Sequence, residues 1–204
     1  MPLFLLSCSS SKKAGRMETT SIIIIESAAE NGEKNTAVKP AAAADTDSPD
    51  LKEATLKARY AGYLNVSQQR ISNMRLYNFI DYWMDTPYKW GGMDEKGIDC
   101  SAFIQRLLDS VYQIAVPRTS IEQFYARWIS KFRSLKHLSE GDLIFFKTLN
   151  NTNAVSHVGL YLDNGHFVNS SSSKGVSIAS LRDPYWRSKI VGAGRVNVAM
   201  LPKK

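Results

Sequence analysis

Gly97-Ile98-Asp99-Cys100-Ser101 stands directly before an amphipathic stretch, and that junction decides how the chain reads. Phe103, Ile104, Leu107, Leu108, Val111 and Tyr112 recur at helical spacing, which predicts a helix over 100–113. Cys100 falls on the same stripe, so its thiol is expected to face whatever the helix packs against. Asp99 has the residue type of an N-cap. Upstream, Tyr88-Lys89-Trp90-Gly91-Gly92 reads as a turn. Downstream, His157-Val158-Gly159-Leu160-Tyr161-Leu162 reads as a strand that opens on a histidine. A thiol at a helix start gains from the partial positive charge there, and an imidazolium partner would lower its pKa further.

Working outward, Ser48-Pro49 predicts a capped helix running to about residue 64, and 67–84 reads as a second helix stopped by Thr86-Pro87. The second half turns to strands, over 142–147, 157–162, 166–171, 175–180 and 190–196. Helices followed by a run of antiparallel strands imply an α+β fold. Asp163-Asn164-Gly165 predicts a three-residue hairpin loop with glycine in the left-handed position. Leu162 then opposes His166, Gly159 opposes Asn169 and His157 opposes Ser171. In that register His157 and Asn169 share one face as diagonal neighbours, within reach of each other. A two-residue loop would separate them. His166 faces away from His157, and His137 sits in a polar loop.

The chain carries a net charge of +7, unevenly spread. Residues 1–50 hold five Lys/Arg against seven Asp/Glu, which leaves +9 on residues 51–204. A basic folded part suits an acidic polymer or an anionic surface, or serves solubility alone. No nucleic-acid-binding motif is present and the basic residues are scattered, so no nucleic-acid partner is expected. Three histidines without a paired ligand motif argue against zinc, and no metal or organic cofactor is expected. Cys8 and Cys100 are the two cysteines, and a bridge between a tail and a helix start is not expected.

Leu3-Phe4-Leu5-Leu6-Ser7-Cys8 resembles the lipobox of a bacterial lipoprotein, with Leu5, Ser7 and Cys8 at the −3, −1 and +1 positions. Residues 1–8 are therefore read as the end of a lipoprotein signal whose charged and apolar upstream part lies before the present start, with Cys8 as the lipidation site. Residues 9–47, rich in Ser, Ala, Lys, Glu and Thr, read as a flexible tether. The run Ile22 to Ile25 is too short to span a membrane and has no assigned role. Residues 48–204 form the expected folded domain.

Each candidate also has an ordinary structural reading. Cys100 fits a buried small hydrophobe, His157 a core or strand-end histidine, and Asn169 a polar residue near a turn. Tyr88 and Trp90 fit plain core aromatics, and Asp99 fits a cap better than a catalytic acid. A carboxylate beside the thiol would raise its pKa.

From about residue 71 to 197 the chain resembles the NlpC-type cell-wall cysteine peptidases, which have a papain-like fold. The matching pieces follow in order: Thr86-Pro87-Tyr88-Lys89-Trp90-Gly91-Gly92, Gly97-Ile98-Asp99-Cys100-Ser101, Pro117-Arg118-Thr119-Ser120, Gly141-Asp142-Leu143-Ile144-Phe145-Phe146, His157-Val158-Gly159, Phe167-Val168-Asn169 and Pro184-Tyr185-Trp186. The resemblance implies N-terminal helices packed on an antiparallel sheet of about five strands. It implies Cys100 as nucleophile, His157 as base and Asn169 as the third polar residue, where most members carry histidine. Tyr88 would line the site near the oxyanion or the substrate carbonyl, and Asp99 and Ser101 would lie in the pocket for a stem peptide. Ala102 stands where the family usually has glycine, a change expected to do little harm.

The implied protein is a lipid-anchored, periplasmic-side cell-envelope endopeptidase acting on peptidoglycan, and a monomer. The departure at Asn169 keeps a rival open, a catalytically silent wall-binding scaffold lipoprotein. An amidase or acyltransferase on the same fold is a second.

Overall fold

The computed structural model describes residues 48–150 and 154–201; Cys8, the tether and the Ile22 to Ile25 run lie outside the described residues. Helix α1 spans Pro49–Leu64, with the Ser48 side chain accepting the Leu51 N–H as cap. Helix α2 spans Met74–Trp83 and α3 spans Cys100–Tyr112. Two short helices follow, α4 (Ser120–Tyr125) and α5 (Pro184–Lys189). Strands β1 (Met93–Asp94) and β2 (Gly97–Ile98) form a small ribbon before α3. The main sheet holds β3 (Ile129–Phe132), β4 (Leu143–Phe146), β5 (His157–Tyr161), β6 (His166–Ser171), β7 (Gly175–Ser180) and β8 (Ile190–Val196). Its order is β3-β8-β4-β5-β6-β7, with every pair antiparallel.

The α+β reading holds, with two corrections. The sheet has six strands rather than five. The extra one, β3, is a four-residue edge strand that buries only Ile129 fully, so its sequence shows little apolar alternation. The stretch 67–84 is not one helix either. A 3-10 turn covers Gln68–Arg70, and α2 starts afresh after Asn73, whose side chain accepts the Leu76 N–H. That local bond offers the backbone an alternative to continuing the earlier turn.

The sheet separates two apolar layers. Leu143, Phe145, Val158, Leu160 and Val168 join the core under α1, α2 and α3. Ile144, Phe146 and Phe167 point the other way and pack with Leu181 and Trp186. The β5–β6 pairing of Leu160 with Val168 and Tyr161 with Phe167 is the register the hairpin loop predicts. Asn164 and Gly165 both have positive φ, 46° and 76°, as that tight loop requires.

One glycine ties the sheet to the site. The N–H of Asp85 donates to Val176 O, and the N–H of Val176 donates to Thr86 O, so the strand pins the backbone that leads to Tyr88. Gly175 at φ 63° permits this approach, and a Cβ there would lie 2.2 Å from Thr86 O. Gly175→Ala is expected to lower stability by about 3 kcal/mol, read as a shifted urea midpoint. Gly62→Ala is the control, in α1 with open space around it, and should stabilise by up to about 1 kcal/mol.

Candidate active site

Asp99 caps α3 as expected, its Oδ1 accepting the Ala102 N–H at 2.8 Å. Cys100, the first residue of that helix, is a free thiol and is buried. The backbone N–H of Val158, the residue after His157, is close enough to favour the thiolate form. The helix start and the beginning of β5 therefore meet at this point. Cys100 lines a cavity of about 420 Å3 with Tyr88, Asp99, Ser101 and Arg118. His157 lines a second cavity of about 450 Å3. The two cavities adjoin, sharing Tyr88, Trp90 and Ser156 as lining residues.

His157 and Asn169 come together as the hairpin register implies. Nε2 of His157 lies 3.0 Å from Oδ1 of Asn169, and both residues are buried. Nδ2 of Asn169 donates to Ser177 O at 3.3 Å, which fixes the amide with its oxygen towards the ring. An oxygen acceptor requires Nε2 to carry the proton, leaving Nδ1 as the basic nitrogen of a neutral imidazole.

The electrostatics depart from the sequence reading in one respect. Burial pushes the Cys100 thiol up to about 11, an effect that the Val158 N–H opposes and the Asp99 charge reinforces. Burial likewise pushes His157 down to about 4, against the Asn169 hydrogen bond. The helix start was expected to lower the thiol pKa, but desolvation at a site this enclosed outweighs it. Burial thus favours the neutral form of each group at neutral pH.

A stability signature follows. The folded state holds His157 neutral down to about pH 4, whereas its ordinary value is 6.5. Between those values the unfolded chain binds more protons, so stability is full above 6.5 and falls as pH drops towards 4. The effect amounts to about 3 kcal/mol. Urea midpoints measured across that window should fall, and His157→Gln should flatten the slope; an unchanged slope would contradict a buried neutral imidazole.

Asp99 and Ser101 sit beside the thiol, but both are already occupied. Arg118 grips Asp99 with two nitrogens, at 3.0 Å to Oδ1 and 2.7 Å to Oδ2. The Ser101 hydroxyl donates to Asp99 Oδ1 and accepts from Arg118, each at 3.0 Å. Burial alone would push the Asp99 carboxyl up; Arg118, the Ala102 N–H and the Ser101 hydroxyl outweigh it and hold it below the usual range. Tyr88 is half-buried, bridged to Ile98 and near Cys100, and burial pushes its hydroxyl up to about 12.

Three residues here had no assigned role from sequence. Arg118 is one, and Trp186, stacked on His157 at 5.2 Å, is another. Gln123 is the third, fully buried and donating to Ser101 O at 3.1 Å and Pro117 O at 2.9 Å. The spacing Thr119-x-x-Glu122 was a readable signal for α4, since it forms a reciprocal capping box.

Comparison with known proteins identifies the family. The NlpC/P60 family matches residues 85–195. A probable endopeptidase NlpC homolog of Haemophilus influenzae is 34% identical over 132 residues, covering 65% of this chain and 67% of its own length. The murein DD-endopeptidase MepS/murein LD-carboxypeptidase of Escherichia coli is 32% identical over 152 residues, covering 74% of this chain and 78% of its own. Among solved structures, an NlpC/P60 family protein from Bacillus cereus superposes with a TM-score of 0.54 at 30% identity over 64% of this chain. A Staphylococcus aureus protein described as similar to lipoprotein, NLP/P60 family, gives 0.54 at 28% identity over 61% of this chain. This chain spans 41% of the length of each of those two solved proteins. With a family match across more than half of its residues and this cleft at the matched motifs, the chain belongs to the NlpC/P60 family.

Proposed function

We propose that the protein is a cell-wall hydrolase, a cysteine endopeptidase that cuts amide bonds of peptidoglycan stem peptides or their cross-links. One observation carries the reading: Cys100 at the start of α3 lines a cavity that shares Tyr88, Trp90 and Ser156 with the cavity lined by His157, which is hydrogen-bonded to Asn169. In the mechanism this supports, Nδ1 of His157 takes the thiol proton and the sulfur attacks the amide carbon. In this reading the Tyr88 side chain, which lines the Cys100 cavity, and the N-terminus of α3 stabilise the oxyanion. The C–N bond breaks as the imidazolium gives its proton to the departing amine. His157 then deprotonates a water, which hydrolyses the thioester and restores the thiol. Asn169 holds the ring throughout; being neutral, it stabilises the imidazolium less than a carboxylate would.

The wider setting is part of the same proposal. Cys8 carries a lipid, residues 9–47 tether the domain, and the monomeric enzyme works on the periplasmic side of the bacterial envelope. The lipobox-like start and the +9 charge on residues 51–204 support this. The test is mass spectrometry of defined muropeptides, monomeric and cross-linked, after incubation with the full chain. Fragment masses that place one cleaved amide support the proposal; intact muropeptides beside wall binding favour the scaffold reading.

A further inference from the structure

The positive charge of the folded domain is confined to its second half. Residues 48–122 carry nine Lys/Arg against nine Asp/Glu, whereas residues 123–201 carry ten against four. Three stretches of that half, 123–139, 143–162 and 184–201, hold eight Lys/Arg and no Asp or Glu. The fold sets them side by side, because β8 lies between β3 and β4 in the sheet. Of the acids next to these stretches, Asp142 is gripped by Arg195 and Asp183 caps α5.

Two cavities mark this face. One, of about 380 Å3, is lined by Lys147 and Lys189 and shares Leu149 with the His157 cavity. The other, of about 270 Å3, is lined by Lys131 and Arg133 and shares Val191 with the first. Neither has an Asp or Glu in its lining. Two of the lysines rest on aromatic rings. Lys131 Nζ lies 5.0 Å from the Phe124 ring centre and 5.2 Å from that of Tyr125, and Lys189 Nζ lies 5.8 Å from that of Tyr185. A ring orients an ammonium without cancelling its charge.

A row of cations in adjoining recesses attracts a ligand that carries anionic groups at intervals along a chain. Peptidoglycan has that chemistry, since its stem peptides bear free carboxylates and repeat along each strand. Recesses that run from the His157 cavity across β8 to β3 suit a strand better than the flat face of a lipid bilayer. We propose that this basic face is an exosite that holds the carboxylate-bearing stem peptides of the wall polymer while the Cys100–His157 site cuts. The proposal deepens the cell-wall reading above and rests on it. A small soluble substrate fills the catalytic cavities alone, so the exosite acts only on the polymer.

The test uses the full chain with Lys131, Arg133 and Lys189 all replaced by Gln. Lys52, Lys57 and Lys96, which lie outside this half, are replaced by Gln in a control that lowers the net charge equally. Three readouts are taken at low and high salt: pelleting with isolated sacculi, fragment release from sacculi, and cleavage of one soluble cross-linked muropeptide. Native binding and fragment release should weaken with salt, and the triple variant should lose about fivefold or more of both at low salt and respond little to salt. The control should behave as native, and the soluble muropeptide should be cut equally by all three. Arg133→Glu alone, at an exposed position, should shift sacculus binding the same way without touching a ring contact. Native-like binding and fragment release in the triple variant would overturn the exosite, as would an equal loss in the control. Loss of pelleting with anionic phospholipid vesicles while sacculus binding is kept would assign the face to a membrane and overturn it too. Failure of the native protein to cut the soluble muropeptide would count against the peptidase reading, while sacculus pelleting still decides the surface.

Discussion

Cys100→Ala is expected to bring muropeptide hydrolysis to background, a fall of at least about a thousandfold, with the domain still folded. The Cys100 residue is 6% exposed, in the core under α3. Removing one buried sulfur should cost about 1 kcal/mol or less. The chemistry loses far more, because Cys100 is the only thiol among the described residues. Cys100→Ser should be nearly as inactive. A hydroxyl is harder to ionise than a thiol, and an imidazole held down to about 4 is a weak base for it. Circular dichroism and urea midpoints would separate lost chemistry from lost structure. Retained hydrolysis in Cys100→Ala would end the mechanism.

Arg118→Ala should have the largest effect among residues that do not themselves react. The Asp99 side chain is 11% exposed and would lose its only cationic partner among the described residues. Removing one member of such a pair leaves a buried charge uncompensated. A cost of about 3 kcal/mol is expected at neutral pH. Arg118→Lys should recover only part of it, since an ammonium cannot reproduce the two-pronged contact. The sign of the pH dependence identifies the cause. In the native protein the Asp99 carboxyl is held below its usual range, so its contribution is present at neutral pH and is lost as pH falls. Without Arg118, burial prevails and the carboxyl takes up a proton more readily. The gap between variant and native stability should therefore narrow on acidification. Activity should fall by about tenfold or more, because Asp99 caps the helix that presents Cys100. A gap that stays constant with pH would point to lost packing instead.

Local chemistry made much of this architecture readable. Asp99 before an apolar helical stripe marks the start of α3, and Asp163-Asn164-Gly165 can close the β5–β6 hairpin only with residues that tolerate positive φ. The hairpin register then brings His157 to Asn169 without further information. What stayed hidden depends on long-range packing. Asp99 reads as an N-cap and Arg118 has no assigned partner in the sequence, and only the approach of the 117–120 loop to α3 pairs them. Trp186 reads as a generic aromatic until α5 folds across Phe146 and Phe167 and sets its ring against His157. The burial that pushes the Cys100 thiol up is hidden for the same reason. A helix terminus is visible in sequence, whereas the depth at which it is buried is not.

The most direct test of the central claim is chemical modification of the native, full chain. Iodoacetamide would be titrated in, with peptide mapping to separate Cys100 from Cys8, while muropeptide hydrolysis is followed in the same samples. The account predicts that activity falls in proportion to carboxamidomethylation of Cys100, independently of Cys8, and that bound substrate slows both losses together. Undiminished hydrolysis by protein fully modified at Cys100 would contradict it.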